Sequence, residues 1–153
     1  MHKKFWGLAL SLFVLMADQL TKAWIVQTIH GPSDYIHLTS FFSIIFTENA
    51  GVSFGLLGGT LPPLALVLIA CAVIAYLGHT FYQSKQWSIV LALGAILGGG
   101  IGNIIDRLRI GKVVDFLHFY WGQYSFPAFN VADIAVTCGA IFFLYHILFQ
   151  SKK

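Results

Sequence analysis

Four apolar runs, at about 5–27, 61–82, 87–105 and 130–149, decide what this chain can become. A helix crosses the hydrocarbon core of a bilayer with roughly 20 mostly apolar residues, and each run has about that length. Together they occupy more than half of the 153 residues, and only 10% of all residues are charged. A soluble domain carries about 25%, so a water-facing surface cannot be assembled from what remains. With 58% hydrophobic residues and a mean hydropathy of +0.78, the chain is suited to lipid as its solvent. The expected fold is an all-α membrane protein of four transmembrane helices, forming one integral domain over residues 1–153, with outer loops at about 28–60 and 106–129.

Several function classes drop out at once. The pI of about 9.0 comes from few charges, and there is no Lys/Arg stripe of the kind that phosphate backbones require, so no nucleic-acid partner is expected. Cys71 and Cys138 fall inside runs and read as small packing residues, not as a disulfide framework. Lys3 and Lys4 precede an apolar stretch as in a secretory signal, but no A-x-A-like cleavage site follows, and the segment reads as a retained first helix.

Orientation follows from basic residues near the ends of the runs. Four spans place both termini on the side of the short 83–86 connection, which carries Lys3, Lys4, Lys85, Lys152 and Lys153, whereas 29–60 has no Lys or Arg. Arg107, Arg109 and Lys112 on the opposite side weaken this bias without reversing it. Both termini are therefore expected in the cytoplasm. In the first outer loop IHLTSFFSIIFT (36–47) is rich in β-branched and aromatic residues and is followed by Gly51, Gly55, Gly58 and Gly59, a strand or hairpin signature. Pro62 and Pro63 suit the first turn of the second helix. The second outer loop holds Tyr120, Trp121, Tyr124 and Phe126, which read as interfacial aromatics. In the third helix Gly94, Gly98 and Gly102 recur every four residues, a seam along which a neighbouring helix can approach closely.

The polar residues of the helices gather at one depth. Asp18 comes thirteen residues after Phe5, roughly 20 Å along a helix that rises 1.5 Å per residue, and Lys22 lies one turn further out. The third helix ends on Asn103 and Asp106, and the fourth begins at Asn130 and Asp133. Ionisable groups inside a membrane mark functional sites, yet each has a plainer reading. Asp18 and Lys22 have the spacing of a helical ion pair. Asp106 precedes Arg107 and Arg109 and can be held by a guanidinium. Asn130 and Asp133 have the spacing of a capping box. Asp34 reads as a solvated turn residue beside Gly31 and Pro32, and Glu48 as an exposed one.

Two carboxylates are left without an evident cation: Asp133, and Asp115 in KVVDFLHF. Two acids brought together near an apolar surface cannot both ionise comfortably, so one pKa rises and the pair shares a proton. Such a pair activates water with one member and protonates with the other, the chemistry of aspartic peptide hydrolysis. His118 has no evident nucleophile as a partner. His30, His37, His79, His118 and His146 show no metal-binding spacing and read as interfacial or packing residues; no metal or organic cofactor is expected. A small proton-coupled transporter or channel subunit, and a purely structural assembly factor, stay open as alternatives. The transporter would spread its polar residues through the membrane thickness, and the assembly factor would tolerate Asn at 133.

Five motifs now stand in order on four spans: DQLTK (18–22), ENAGVSFG (48–55), GGGIGNIIDR (98–107), GKVVDF (111–116) and FNVADI (129–134). This set closely resembles the bacterial lipoprotein signal peptidases, or signal peptidases II, over essentially the whole chain. The resemblance implies an aspartic endopeptidase of the inner (cytoplasmic) membrane, sensitive to globomycin. Such an enzyme removes the signal peptide from diacylglyceryl-modified prolipoproteins just before the lipidated lipobox cysteine. It implies a small extracytoplasmic β-cradle on the four helices, a site near the outer face, contact with membrane lipid, and a monomer. By motif match the catalytic pair falls on Asp115 and Asp133. Asp18, Lys22, Asn49, Gly51, Phe54, Asn103, Asp106, Arg107, Phe116, Asn130 and Ala132 fall on positions that support the site or hold substrate. Phe54, Phe116 and Trp121 are expected walls of a lateral opening to lipid.

Overall fold

A computed structural model describes residues 2–31, 34–51 and 62–149. Phe54, Gly55, Gly58, Gly59, Lys152 and Lys153 lie outside the described residues. The elements run α1 (His2–Thr28), β1 (Ile36–Thr39), β2 (Phe42–Asn49), α2 (Pro63–Gln83), α3 (Trp87–Ile110), β3 (Val113–Trp121), β4 (Tyr124–Ser125) and α4 (Val131–Phe149). All four helices are long and apolar enough to cross a membrane. The strands form one antiparallel sheet in the order β1-β2-β3-β4.

Local chemistry sets the ends of these elements. Pro62 and Pro63 open α2, where a missing N–H costs nothing. α3 runs on to Ile110, five residues past the expected end at 105. Asn103 and Asp106 do not stop it, because their side chains find partners inside the bundle. Arg107 and Arg109 lie in its last turn, where cations favour the carbonyl end of a helix. It stops at Gly111, whose φ of 75° is left-handed and whose N–H reaches Arg107 O at 3.0 Å. The expected hairpin at 36–47 is β1 and β2. Residues 113–121 were read as a motif and as interfacial aromatics and not as the strand β3, although VVDFLHFYW is rich in β-branched and aromatic residues.

α3 is the central helix. It buries Val90, Leu93, Ile96, Leu97 and Ile104 together with Gly94, Gly98, Gly99 and Gly102, while α1, α2 and α4 pack around it. Those three helices leave large apolar side chains exposed, including Phe13, Tyr76 and Phe149, as helices do when lipid covers them. The glycine seam serves two neighbours. A Cβ at Gly94 would collide with Gly7 O of α1, and one at Gly98 with Ser11 O. On the other flank a Cβ at Gly99 would lie 2.5 Å from Ala132 O of α4. Cys71 and Cys138 are exposed on their helices, so neither is the packing residue that was expected.

The sheet covers one end of this bundle. Val114 and Phe116 of β3 pack on Ile25 and Ile29 at the end of α1, which closes a core under one sheet face. Because side chains alternate along a strand, Asp115 points to the other face.

Replacing Gly98 by alanine drives a methyl into the α1 backbone, an overpacking that costs about 1–3 kcal/mol. Gly78→Ala has open space around it and gains up to about 1 kcal/mol of helix propensity. Thermal unfolding in detergent should therefore show a lowered midpoint for G98A and none for G78A.

Candidate active site

The site is built outward from Lys22. Its ammonium lies 2.8 Å from Asp18 Oδ2 and 2.9 Å from Asp106 Oδ2, and it donates to Asn103 Oδ1 at 2.9 Å. Three donors thus meet three acceptors, and Asp18, Lys22 and Asp106 are all buried. The two carboxylates have further duties. Asp18 Oδ1 accepts from Ala132 N at 2.9 Å, fixing the first turn of α4 against α1. Asp106 Oδ2 accepts from Val114 N at 3.2 Å, fixing β3 against α3. Gln19 Nε2 donates to both acids at 3.1 Å. The expected ion pair of Asp18 with Lys22 is present. The expected guanidinium for Asp106 is not: Lys22 holds that acid. Adjacent residues on a helix do not face each other, whereas residues four apart do. Arg107 accordingly reaches back to Asn103 O at 3.3 Å and across to Gly51 O at 2.7 Å.

Asn103 carries this cluster to a second pair of acids. Its Nδ2 donates to Asp133 Oδ1 at 2.9 Å. The capping box is formed: Asp133 N donates to Asn130 Oδ1 at 2.9 Å, and Asn130 N to Asp133 Oδ2 at 3.2 Å. The Asn130 amide, fully buried, also donates to Asp115 Oδ1 at 2.7 Å. Asn49 Nδ2 holds Asp115 Oδ2 at 3.1 Å, and Asn49 Oδ1 accepts from Gly51 N at 2.9 Å. Asn49 reaches Asp115 because Thr47 pairs with Asp115 and Asn49 with Val113 across β2 and β3, which places Asn49 and Asp115 on one sheet face. A single amide side chain, Asn130, therefore both caps α4 and bridges its acid to that of β3.

Asp115 and Asp133 share the wall of a cavity of about 280 Å³ with Asn49, Phe126, Ala128, Phe129, Ile134, Thr137 and Cys138. One end is polar and the remainder apolar. Asp115 is 2% exposed, and burial first, then the charge of Asp133, push its carboxyl up from 3.8 to about 6. The amides of Asn49 and Asn130 and the more distant Lys22 partly offset this. Neither acid has a Lys or Arg nitrogen within 4.0 Å among the described residues.

Most of the expected site residues meet here. Asp18, Lys22, Asp106, Asn130 and Ala132 are buried and form the clamp with the half-buried Asn103, while Asn49 and Gly51 adjoin it from the end of β2 and Arg107 from α3. Two expected walls do not hold. Phe116 is 4% exposed and packs against Ile25 and Ile29, because strand alternation turns it away from Asp115. Trp121 is 79% exposed beyond the cavity. The aromatic walls are instead Phe126 and Phe129, in edge contact at 5.9 Å. Sequence reasoning missed them with Ile134, Thr137 and Cys138. Thr137 lies four residues after Asp133, and Ile134 is three and four residues from Thr137 and Cys138, spacings that group these side chains along one side of the helix. His118 does have a hydroxyl partner, Ser125 Oγ at 2.7 Å, but on the β3–β4 hairpin and outside the cavity. Asp34 and Glu48 are exposed as expected, Glu48 bridged to Lys112 at 2.6 Å. No group of three or more potential metal ligands occurs among the described residues.

The model of the family described as signal peptidase (SPase) II matches residues 10–149. The chain belongs to the signal peptidase II family. The match makes it a membrane peptidase, as the five motifs implied. It is 37% identical to a lipoprotein signal peptidase of Symbiobacterium thermophilum over 96% of this chain and 97% of that relative. It is 43% identical to one from Burkholderia vietnamiensis over 90% and 84%. A bacterial membrane enzyme solved at 2.3 Å by the in meso method superposes with a TM-score of 0.83 at 29% identity, covering 95% of this chain and 88% of that one. A second, at 1.9 Å, gives 0.79 at 29% identity over 94% and 92%.

Two outcomes follow. Lys22→Met leaves two buried carboxylates unpaired and should cost about 3–5 kcal/mol of stability, read from thermal unfolding in detergent. Asp133→Asn removes the charge that helps raise Asp115, so the ¹³C carboxyl titration of Asp115 should move below about 6 while staying above 3.8, because its burial remains. A raised carboxyl means that the folded state binds the extra proton. The Asp115 contribution to stability is thus full below about 4 and lost as pH rises through 6, and the pH dependence should flatten in Asp115→Asn.

Proposed function

We propose that Asp115 and Asp133 form the water-activating dyad of a lipoprotein signal peptidase, which cuts diacylglyceryl prolipoproteins just before the lipid-bearing cysteine. The carrying observation is the pair itself: two carboxylates on different elements, each oriented by an asparagine amide, at the polar end of an apolar cavity. The upward pull on Asp115 favours the shared proton there. Water attacks the scissile carbonyl carbon and gives a proton to Asp133, while the Asp115 proton hydrogen-bonds the carbonyl oxygen as charge develops on it. When the C–N bond breaks, the amine of the lipidated cysteine takes its proton from Asp133, and the signal peptide leaves with a new carboxyl. Asn103 and Asn130 keep both acids aimed during these transfers.

The sheet end of the bundle is assigned to the outer membrane face and both termini to the cytoplasm. At the terminal end Lys3 Nζ donates to Lys85 O at 3.0 Å, and Lys4 reaches Tyr82 O, which gathers positive charge on one side as cytoplasmic ends do. A diacylated cysteine anchored in the outer leaflet brings its scissile bond to headgroup depth, beside Asp133 in the first turn of α4. All dyad and clamp residues come from one chain, which suits a monomer acting on lipid-embedded substrate. Phe54 is kept as a substrate-holding residue on motif grounds.

Asp115→Asn and Asp133→Asn should each lower cleavage of a diacylglyceryl prolipoprotein by at least about 10²-fold, with thermal unfolding still cooperative. Full activity in either variant, or equal turnover of the unmodified precursor, would sink the assignment.

A further inference from the structure

Two threonines in the interior of these helices satisfy their hydroxyls on their own backbone, whereas Thr28, the exposed last residue of α1, does not. Thr21 Oγ1 donates to Ala17 O at 2.7 Å, and Thr80 Oγ1 to Tyr76 O at 3.1 Å. That back-bond is the usual refuge of a helical hydroxyl in an apolar setting. Thr137 of α4 does not use it. Its side chain is exposed, it lines the cavity that holds the two acids, and its hydroxyl has no hydrogen-bond partner among the described residues. It comes four residues after Asp133 on the same helix, hence on the same face and about 6 Å deeper. Around it the wall is apolar: Phe126, Phe129, Ile134 and Cys138. A lone hydroxyl facing hydrocarbon is costly, and here it is the polar group nearest the carboxylates on the way down into the membrane.

We propose that Thr137 is a substrate-contacting residue, its hydroxyl donating a hydrogen bond to a carbonyl oxygen of the bound prolipoprotein about one helical turn below the scissile bond. The proposal rests on the peptidase reading above. Two carbonyls of the substrate share this chemistry. A signal peptide must unwind locally to present an extended bond to the acids, which frees backbone carbonyls inside the membrane, where each needs a donor. The diacylglyceryl group carries ester carbonyls at similar depth. At this distance from the reacting atoms the bond is made alike in ground and transition states, so it governs KM and leaves kcat unchanged.

The test compares wild type, Thr137→Val and Thr137→Ser on a purified diacylglyceryl prolipoprotein in detergent, with thermal unfolding of each. Valine keeps the shape and removes the hydroxyl; serine keeps the hydroxyl. A net hydrogen bond of ordinary strength predicts a roughly three- to tenfold rise in KM for T137V, unchanged kcat, near wild-type KM for T137S, and equal unfolding midpoints. Repeating the assay on a dialkyl-ether analogue, which lacks ester carbonyls, separates the sources. A T137V penalty that persists assigns the bond to the peptide, and one that vanishes assigns it to the lipid ester. An unchanged KM in T137V, or a T137S variant as impaired as T137V, overturns the proposal while leaving the peptidase reading intact. A wild-type protein that cleaves no lipid-modified precursor overturns that reading and this proposal with it.

Discussion

The polar cluster inside the helix bundle depends on one ammonium group with three acceptors. Lys22 satisfies Asp18, Asp106 and Asn103 together, and each acceptor passes the constraint to another element. Asp18 holds the first turn of α4, Asp106 holds β3, and Asn103 holds Asp133. Burying three charges is expensive, and it is tolerated only when geometry and further hydrogen bonds are complete. Here the cluster sits where three helices and the sheet converge, so the cost brings orientation in return. Asp115 and Asp133 are spared this neutralisation. They receive amides, which orient a carboxylate without cancelling its charge.

The glycines of α3 make that convergence possible. With Gly98 against Ser11 of α1 and Gly99 against Ala132 of α4, two helices approach the same stretch of backbone from opposite flanks. Gly102 completes the arrangement, because a Cβ there would lie 2.5 Å from Asp18 Oδ2. Packing and polar chemistry are therefore not separate layers: the seam delivers α1 close enough for Asp18 to reach the amide of Ala132.

Much of this was legible beforehand, for identifiable reasons. Spans show in the sequence because lipid demands long apolar runs, and the seam and capping box show because both are local spacings. The clustering of polar residues followed from helix rise alone. What escaped was tertiary. Nothing near Asp106 in the sequence says that its cation comes from α1 and not from the adjoining Arg107. Phe116 sits beside Asp115 in the motif, and only its place on a strand turns it into the core. Conversely, Phe126 and Phe129 read as interfacial aromatics or motif neighbours until β4 and the link to α4 fold them over the acids. The strand character of 113–121 was on the page, masked by the expectation that aromatics near a membrane surface are anchors.

The two acids belong to unlike elements, and a short stretch of backbone pairing joins those elements. Leu117 N donates to Phe129 O at 2.8 Å and Phe129 N to Leu117 O at 3.1 Å, a single bridge two residues from Asp115 and four from Asp133. The separation of the two strands of chain that carry the acids is thereby set by main chain, and the asparagine amides then aim the carboxylates. The apolar side chains of the cavity, Phe126, Phe129, Ile134 and Cys138, take part in neither. Such a division of labour lets the cavity be re-tailored without retuning the acids. Altering Phe126, Ile134 or Cys138 would reshape the apolar part of the cavity while the bridge that spaces Asp115 and Asp133 stays the same.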